Sequence, residues 1–111
     1  MRTPDQVRDE LRESVNESIE SIRAIKGDAY AKVVSVAHIQ LHVARCFKIL
    51  AKDVPEPIME AMLLQYSQMM SLNLKLLRDA YKFSDEELEE IVKWANTLDN
   101  RTDGAIKEIF K

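Results

Sequence analysis

Apolar residues recur every three or four positions along nearly the whole chain, which is the period of a helix face and not of a strand. Val7, Leu11, Val15, Ile19 and Ile22 set the first run, with Glu10, Glu13, Glu17 and Glu20 on the opposite side. Thr3-Pro4-Asp5-Gln6 opens it with a cap, a first-turn proline and the far half of a capping box, and Gly27 is a natural stop. The pattern predicts a helix over about residues 4–26. A second helix, capped by Asp28, is expected over about 29–52, and its centre from Val33 to Ala44 carries no charge. Asp53-Val54-Pro55-Glu56 signals a third start, with Asp53 as cap and Glu56 closing a capping box, for a helix over about 55–82. Phe83-Ser84-Asp85-Glu86-Glu87-Leu88 signals a fourth: Ser84 caps, Glu87 reaches back, and Phe83 staples onto Leu88. Leu88, Ile91, Val92, Ala95 and Leu98 form its apolar face, and the period continues past Gly104 through Ile106 and Ile109. Either this helix runs over about 85–110, or it breaks near Asp99-Asn100 and a short terminal helix follows.

The third stretch, Ile58–Tyr81, stands apart. It has no charge from Ala61 through Leu74, yet Gln65, Ser67, Gln68, Ser71 and Asn73 interrupt it too often for a membrane span. On a wheel its large side chains, among them Ile58, Met62, Leu63, Met69, Leu76 and Leu77, cover about 200°. A helix lying on one surface needs a stripe little wider than about 100°. The expectation is a helix wedged between neighbours.

Four segments of similar length, each about 35–40 Å long, joined by links of a few residues, predict antiparallel neighbours. The expected fold is all-α: an up-down-up-down antiparallel four-helix bundle with very short loops, forming a single domain over residues 1–111. A chain of 111 residues with 46% hydrophobic and 32% charged residues is large enough for a core of its own. The single cysteine, Cys46, excludes an internal disulfide, and the opening MRTPDQVRDEL has no apolar signal region, so a reducing, cytoplasmic setting is expected. The net charge is −3, but residues 28–52 hold four basic groups to one acidic, and residues 83–111 hold four to eight. Acidity overall argues against general nucleic-acid binding, and nothing predicts membrane insertion.

Candidate chemistry is sparse. His38, His42 and Cys46 stack at successive i, i+4 positions on the second helix, a spacing that could offer ligands to zinc or copper. Arg45 and Lys52 on the same side oppose a cation, so no metal site is expected there. His38, His42, Arg45 and Lys52 instead form a mild basic stripe suited to an anionic ligand or an acidic partner surface. Glu86, Glu87 and Glu90 carry the spacing EExxE, which is similar to the magnesium-holding helix of all-helical nucleotide pyrophosphatases of the MazG type. That resemblance implies a carboxylate site for a triphosphate. The family's following ExxD is met only by Asn100-Arg101-Thr102-Asp103, closer and with Asn for Glu, and capping accounts for acids in a first helical turn. No glycine-rich phosphate loop is present, and no cofactor is expected.

Gln40 and Asn73 fall within the apolar faces of helices two and three and are expected to be buried and hydrogen-bonded, setting register. Without a catalytic constellation, the reading is a small non-enzymatic helical module that self-associates or binds a partner or anion. A ligand-binding or catalytic bundle is the alternative. The apolar surplus on helices two and three points to a homo-oligomer, most simply a dimer, with Leu64, Leu74 and Trp94 at its contacts and the basic second helix steered toward the acidic fourth helix of another copy.

Overall fold

The computed structural model describes residues 3–109, with the side chains of all of them except 48, 50, 103 and 105–109. The expected core contributions of Ile106 and Ile109 lie outside the described side chains. Four helices follow one another: α1 (Pro4–Lys26), α2 (Asp28–Leu50), α3 (Glu56–Tyr81) and α4 (Asp85–Ile109). They form the expected antiparallel helical bundle.

The ends of the helices show which local signals decide. At α1 the Thr3 hydroxyl accepts from the Gln6 amide at 3.2 Å, and the Gln6 side chain accepts from the Thr3 amide at 2.9 Å, so the capping box is complete. At α4 Ser84 and Glu87 do the same at 3.1 and 3.0 Å. The turn between α1 and α2 is the single residue Gly27, at φ 96°, a conformation that glycine adopts without a Cβ clash. Asp28 is therefore not a cap: it sits inside the first turn of α2 and pairs with Lys32 at 2.8 Å and Arg23 at 3.0 Å. Those two cations, Lys32 first, hold its carboxyl below the ordinary range. The capping box expected from Asp53 and Glu56 does not form, and Pro55 stands at the N-cap with no side-chain bond. Val54 precedes a proline, which disfavours the helical conformation there and delays the start to Glu56. α4 does not break at Asp99-Asn100 but runs through it, because Asp99 and Thr102 turn inward and find partners.

α2 and α4 make the most extensive contact in the bundle, and α1 packs across both. Tyr30, Val33 and Val34 of α2 meet Ile91 and Leu98 of α4, with Ile19 and Ile22 of α1 closing the cluster. Ala31, Ala37 and Ala95 are buried among them, and such small side chains let helix axes approach closely. α3 is placed otherwise than its wide apolar arc suggests. It lies against α2, touches α4 least, and does not reach α1. Leu74 is its one buried residue among those described, while Ile58, Met62, Met69, Leu72 and Leu76 are exposed. The Cα positions accordingly spread over a slab of 41 × 38 × 15 Å. α3 forms the edge of that slab instead of being wedged inside.

The α4 cap offers a direct check on the start signal. Replacing Ser84→Ala removes the acceptor for the Glu87 amide and should lower stability by about 1 kcal/mol in urea unfolding, with the slope of the transition unchanged.

Candidate functional site

The basic stripe of α2 divides in two. Arg45 donates through Nε to Asp99 Oδ2 at 2.8 Å, and a second guanidinium nitrogen reaches the same oxygen. Asp99 is only 3% exposed, so this is a charge pair tying α2 to α4 in the interior. Asp99 Oδ1 has no hydrogen-bond partner among the described residues. Arg45 is thus committed to the fold, and Lys52 lies exposed beyond it in the link to α3. His38 and His42 remain together, their rings stacked with centroids 6.3 Å apart. His42 Nε2 lies 3.4 Å from Cys46 Sγ. Among the described residues no group of three or more His, Cys, Asp or Glu side chains is arranged to hold a metal ion.

The hydrogen bonding of His38 settles its tautomer. Thr102 donates its one hydroxyl proton to the Leu98 carbonyl at 3.0 Å, so at the 3.2 Å contact with His38 Nε2 the hydroxyl oxygen accepts and the imidazole donates. Burial first, and the neighbouring His42 second, push the His38 pKa below its ordinary value; Asp99 pulls the other way. The two histidines face α1 across a crevice of about 220 Å³ lined also by Arg8, Arg12, Asn16 and Thr102. Arg8 is held by Asp5 at 3.5 Å and Asp9 at 3.4 Å. Arg12 makes no ion pair among the described residues. The pattern along α2 could not reveal these α1 cations, because only the antiparallel pairing of α1 with α2 brings them opposite His42.

The acids of α4 are spread out instead of gathered. Glu87 serves the Ser84 cap, and Glu86 points to solvent. Glu90 accepts from the Tyr30 hydroxyl at 2.6 Å and pairs with Lys26 at 3.1 Å, and these contacts, Tyr30 first, lower its pKa. Each of the first two bonds is explained by a helix end or by packing between α2 and α4.

The hydrogen-bonded amides expected at Gln40 and Asn73 are not found among the described residues. Arg101 donates to Ser14 and Ser18 of α1 at 2.8 and 2.9 Å. The Gln40 carbonyl accepts from the Tyr66 hydroxyl at 3.0 Å, which fastens α2 to α3, while its side-chain Oε1 is buried with no partner among the described residues. Asn73 is half-buried, not enclosed.

The three contact residues expected from sequence part ways. Leu64 is exposed on α3. Trp94 is exposed on α4, beside a cavity of about 200 Å³ lined by Ser18, Ile22 and Ile25 of α1. Leu74 departs from the expectation: at 8% exposure it belongs to the core, because its side of α3 is the one turned toward α2 and α4.

The largest unsatisfied feature is on α3. Its apolar arc splits into two stripes. Met59, Leu63, Met70 and Leu77 turn inward. Roughly a quarter-turn round the helix, Ile58, Met62, Met69, Leu72 and Leu76 face solvent, Leu72 at 66% and Leu76 at 69% exposure. With exposed Gln65 they are spaced 4, 3, 4, 3 and 4 residues apart, which is the heptad repeat of a coiled-coil seam. Wheel breadth merges the two stripes and spacing does not part them, since Met59, Leu63, Tyr66, Met70, Asn73 and Leu77 keep the same repeat one position on; exposure separates them. On α2, Val43 is exposed one turn from Gln40, while the exposed Ile39 lines a crevice of about 310 Å³ against Val15 and Ile19 of α1.

Comparison with family models, curated protein sequences and solved structures finds no match to this chain. Among the described residues no helix is long and apolar enough to cross a membrane.

Two outcomes follow. Arg45→Met strands the Asp99 carboxylate in the interior and should cost about 3 kcal/mol by urea unfolding, most of it recovered in Arg45→Met/Asp99→Leu. His38, its pKa depressed in the fold, leaves the unfolded chain to bind the extra proton. Stability should therefore fall as pH drops below about 6.5, the ordinary value, and His38→Phe should flatten that part of the profile in melts between pH 7.5 and 5.

Proposed function

We propose that this chain is a non-enzymatic helical module that works by self-association, with the outer stripe of α3 as its contact surface. The observation that carries this reading is the exposure of Ile58, Met62, Met69, Leu72 and Leu76 in one line on an otherwise well-folded bundle. A contiguous apolar strip of this kind marks an interaction site. A heptad line is complementary to another heptad line. A second copy supplies one without any further component, and twofold closure reuses a single patch on both chains. The acidic α4 and the basic α2 add a steering term that salt screens. Cys46, half-buried and unpaired, fits a reducing, cytoplasmic setting.

A second reading rests on the crevice between α1 and α2, where Arg12, His38 and His42 converge beside the apolar Leu11 and Val15. It suits a small organic anion with an apolar stem.

Sedimentation at tens of micromolar tests the main reading. The protein should run as a dimer, and Leu72→Glu/Leu76→Glu should run near the 12.8 kDa of one chain while keeping its helical circular dichroism. A wild-type monomer at that concentration refutes self-association.

A further inference from the structure

We infer that two copies pair through α3 in antiparallel orientation, centred near Ser67, so that the partner's seam fills this one layer by layer; the inference rests on the self-association proposed above. With Met62, Met69 and Leu76 taken as a positions, Ile58, Gln65 and Leu72 fall at d. The antiparallel register then sets each a against a d of the other helix. Ile58 meets the partner's Leu76, Met62 meets the partner's Leu72, and Gln65 meets the partner's Met69. The layers repeat in reverse beyond the axis, so one stretch of about 27 Å is covered without a residue left over.

Three features select this orientation over the parallel one. The first is charge. Glu56 and Glu60 lie at the start of α3, and Lys75, Arg78 and Lys82 lie toward its end, with Asp79 as the only acid among them. Antiparallel pairing brings the acidic end of each helix to the basic end of the other, whereas parallel pairing sets like ends together. Glu60 falls at f and Lys75 at g, so this contrast acts between the ends of the two helices and not through a pair across the seam. The second is the helix dipole, whose opposite ends adjoin only in the antiparallel pair.

The third is where the rest of each molecule lies. Met59, Tyr66 and Asn73, turned toward their own bundle, occupy the e positions beside the seam. Antiparallel helices place e beside e, so both bundles fall on the same flank of the pair. The exposed Val43 of α2, one turn from the α3 contact at Gln40, is then brought alongside that of the other copy and covered in the same interface. Parallel helices place e beside g, which sends the bundles to opposite flanks and leaves Val43 in water. A slab only 15 Å thick gives two copies the shape to stack in this way.

Spin labels measure the orientation directly. In a Cys46→Ser background, Glu56→Cys and Gln68→Cys are labelled separately on the assembled protein, and dipolar distances are read within the dimer. The antiparallel pair predicts about 35 Å between the Glu56→Cys labels, from 22 residues of helical rise, against about 10–15 Å between the Gln68→Cys labels near the axis. Short distances at both positions would mean a parallel pair and overturn this inference while leaving self-association standing. Long distances at both would mean that another face is used, and a monomer in sedimentation equilibrium or velocity runs of the labelled protein would remove both readings together.

Discussion

The structure depends on the contact between α2 and α4. Three alanines let the two backbones approach, Val33, Val34, Ile91 and Leu98 fill the space beside them, and the Arg45–Asp99 pair fixes their relative height. A charge pair in such a place adds little net stability, because removing both ions from water costs about as much as their attraction returns. What it does supply is register: any slide of α4 along α2 leaves a buried carboxylate without its guanidinium. The same pair keeps α4 helical through Asp99-Asn100, where the residues themselves favour turns.

α1 and α3 are laid on that central pair with different degrees of commitment. α1 places a narrow apolar stripe on both central helices, and its acids face water, as expected of a helix on a surface. α3 presents an arc twice as wide to a neighbour that covers only half of it. Its fastening is correspondingly light: Leu74 and half-buried side chains, with the Tyr66 hydroxyl on the Gln40 carbonyl. Burying apolar area is the main favourable term in folding, at about 25 cal/mol per Å². A helix that leaves five large side chains in one line outside therefore gives up much of the stabilisation its sequence contains, which the proposed pairing would restore.

Local signals carried the fold. Capping residues at Thr3 and Ser84 and the glycine at position 27 mark three helix ends within a residue, because each acts through bonds to its own chain neighbours. The start of α3 does not follow the Asp53 capping pattern, because the constraint that Pro55 puts on Val54 outweighs it. Tertiary features were legible only in outline. Gln40 and Arg45 look alike as polar interruptions of a buried helix, yet Arg45 finds a carboxylate on α4 and Gln40 Oε1 does not find a described partner. Which of them is satisfied depends on a residue more than fifty positions away, and no periodicity along α2 encodes that. The cations Arg8 and Arg12 reach the histidine crevice for the same reason, through the pairing of two helices instead of through spacing on one.

The breadth of the α3 arc is legible in the sequence, but which half of it the chain itself covers is not. A 200° arc is equally what a helix shows when neighbours surround it and when two partners meet it in sequence, one within the chain and one beyond it. Period does not tell the two cases apart, because the inward residues Met59, Leu63, Tyr66, Met70, Asn73 and Leu77 keep the same heptad repeat as the outer line; exposure does. Ile58, Met62, Met69, Leu72 and Leu76 keep that repeat over more than two heptads, with one polar residue, Gln65, on the line. The division between Leu74, inside, and Leu72, outside, two residues apart, is where packing within the chain ends and the surface proposed for pairing begins.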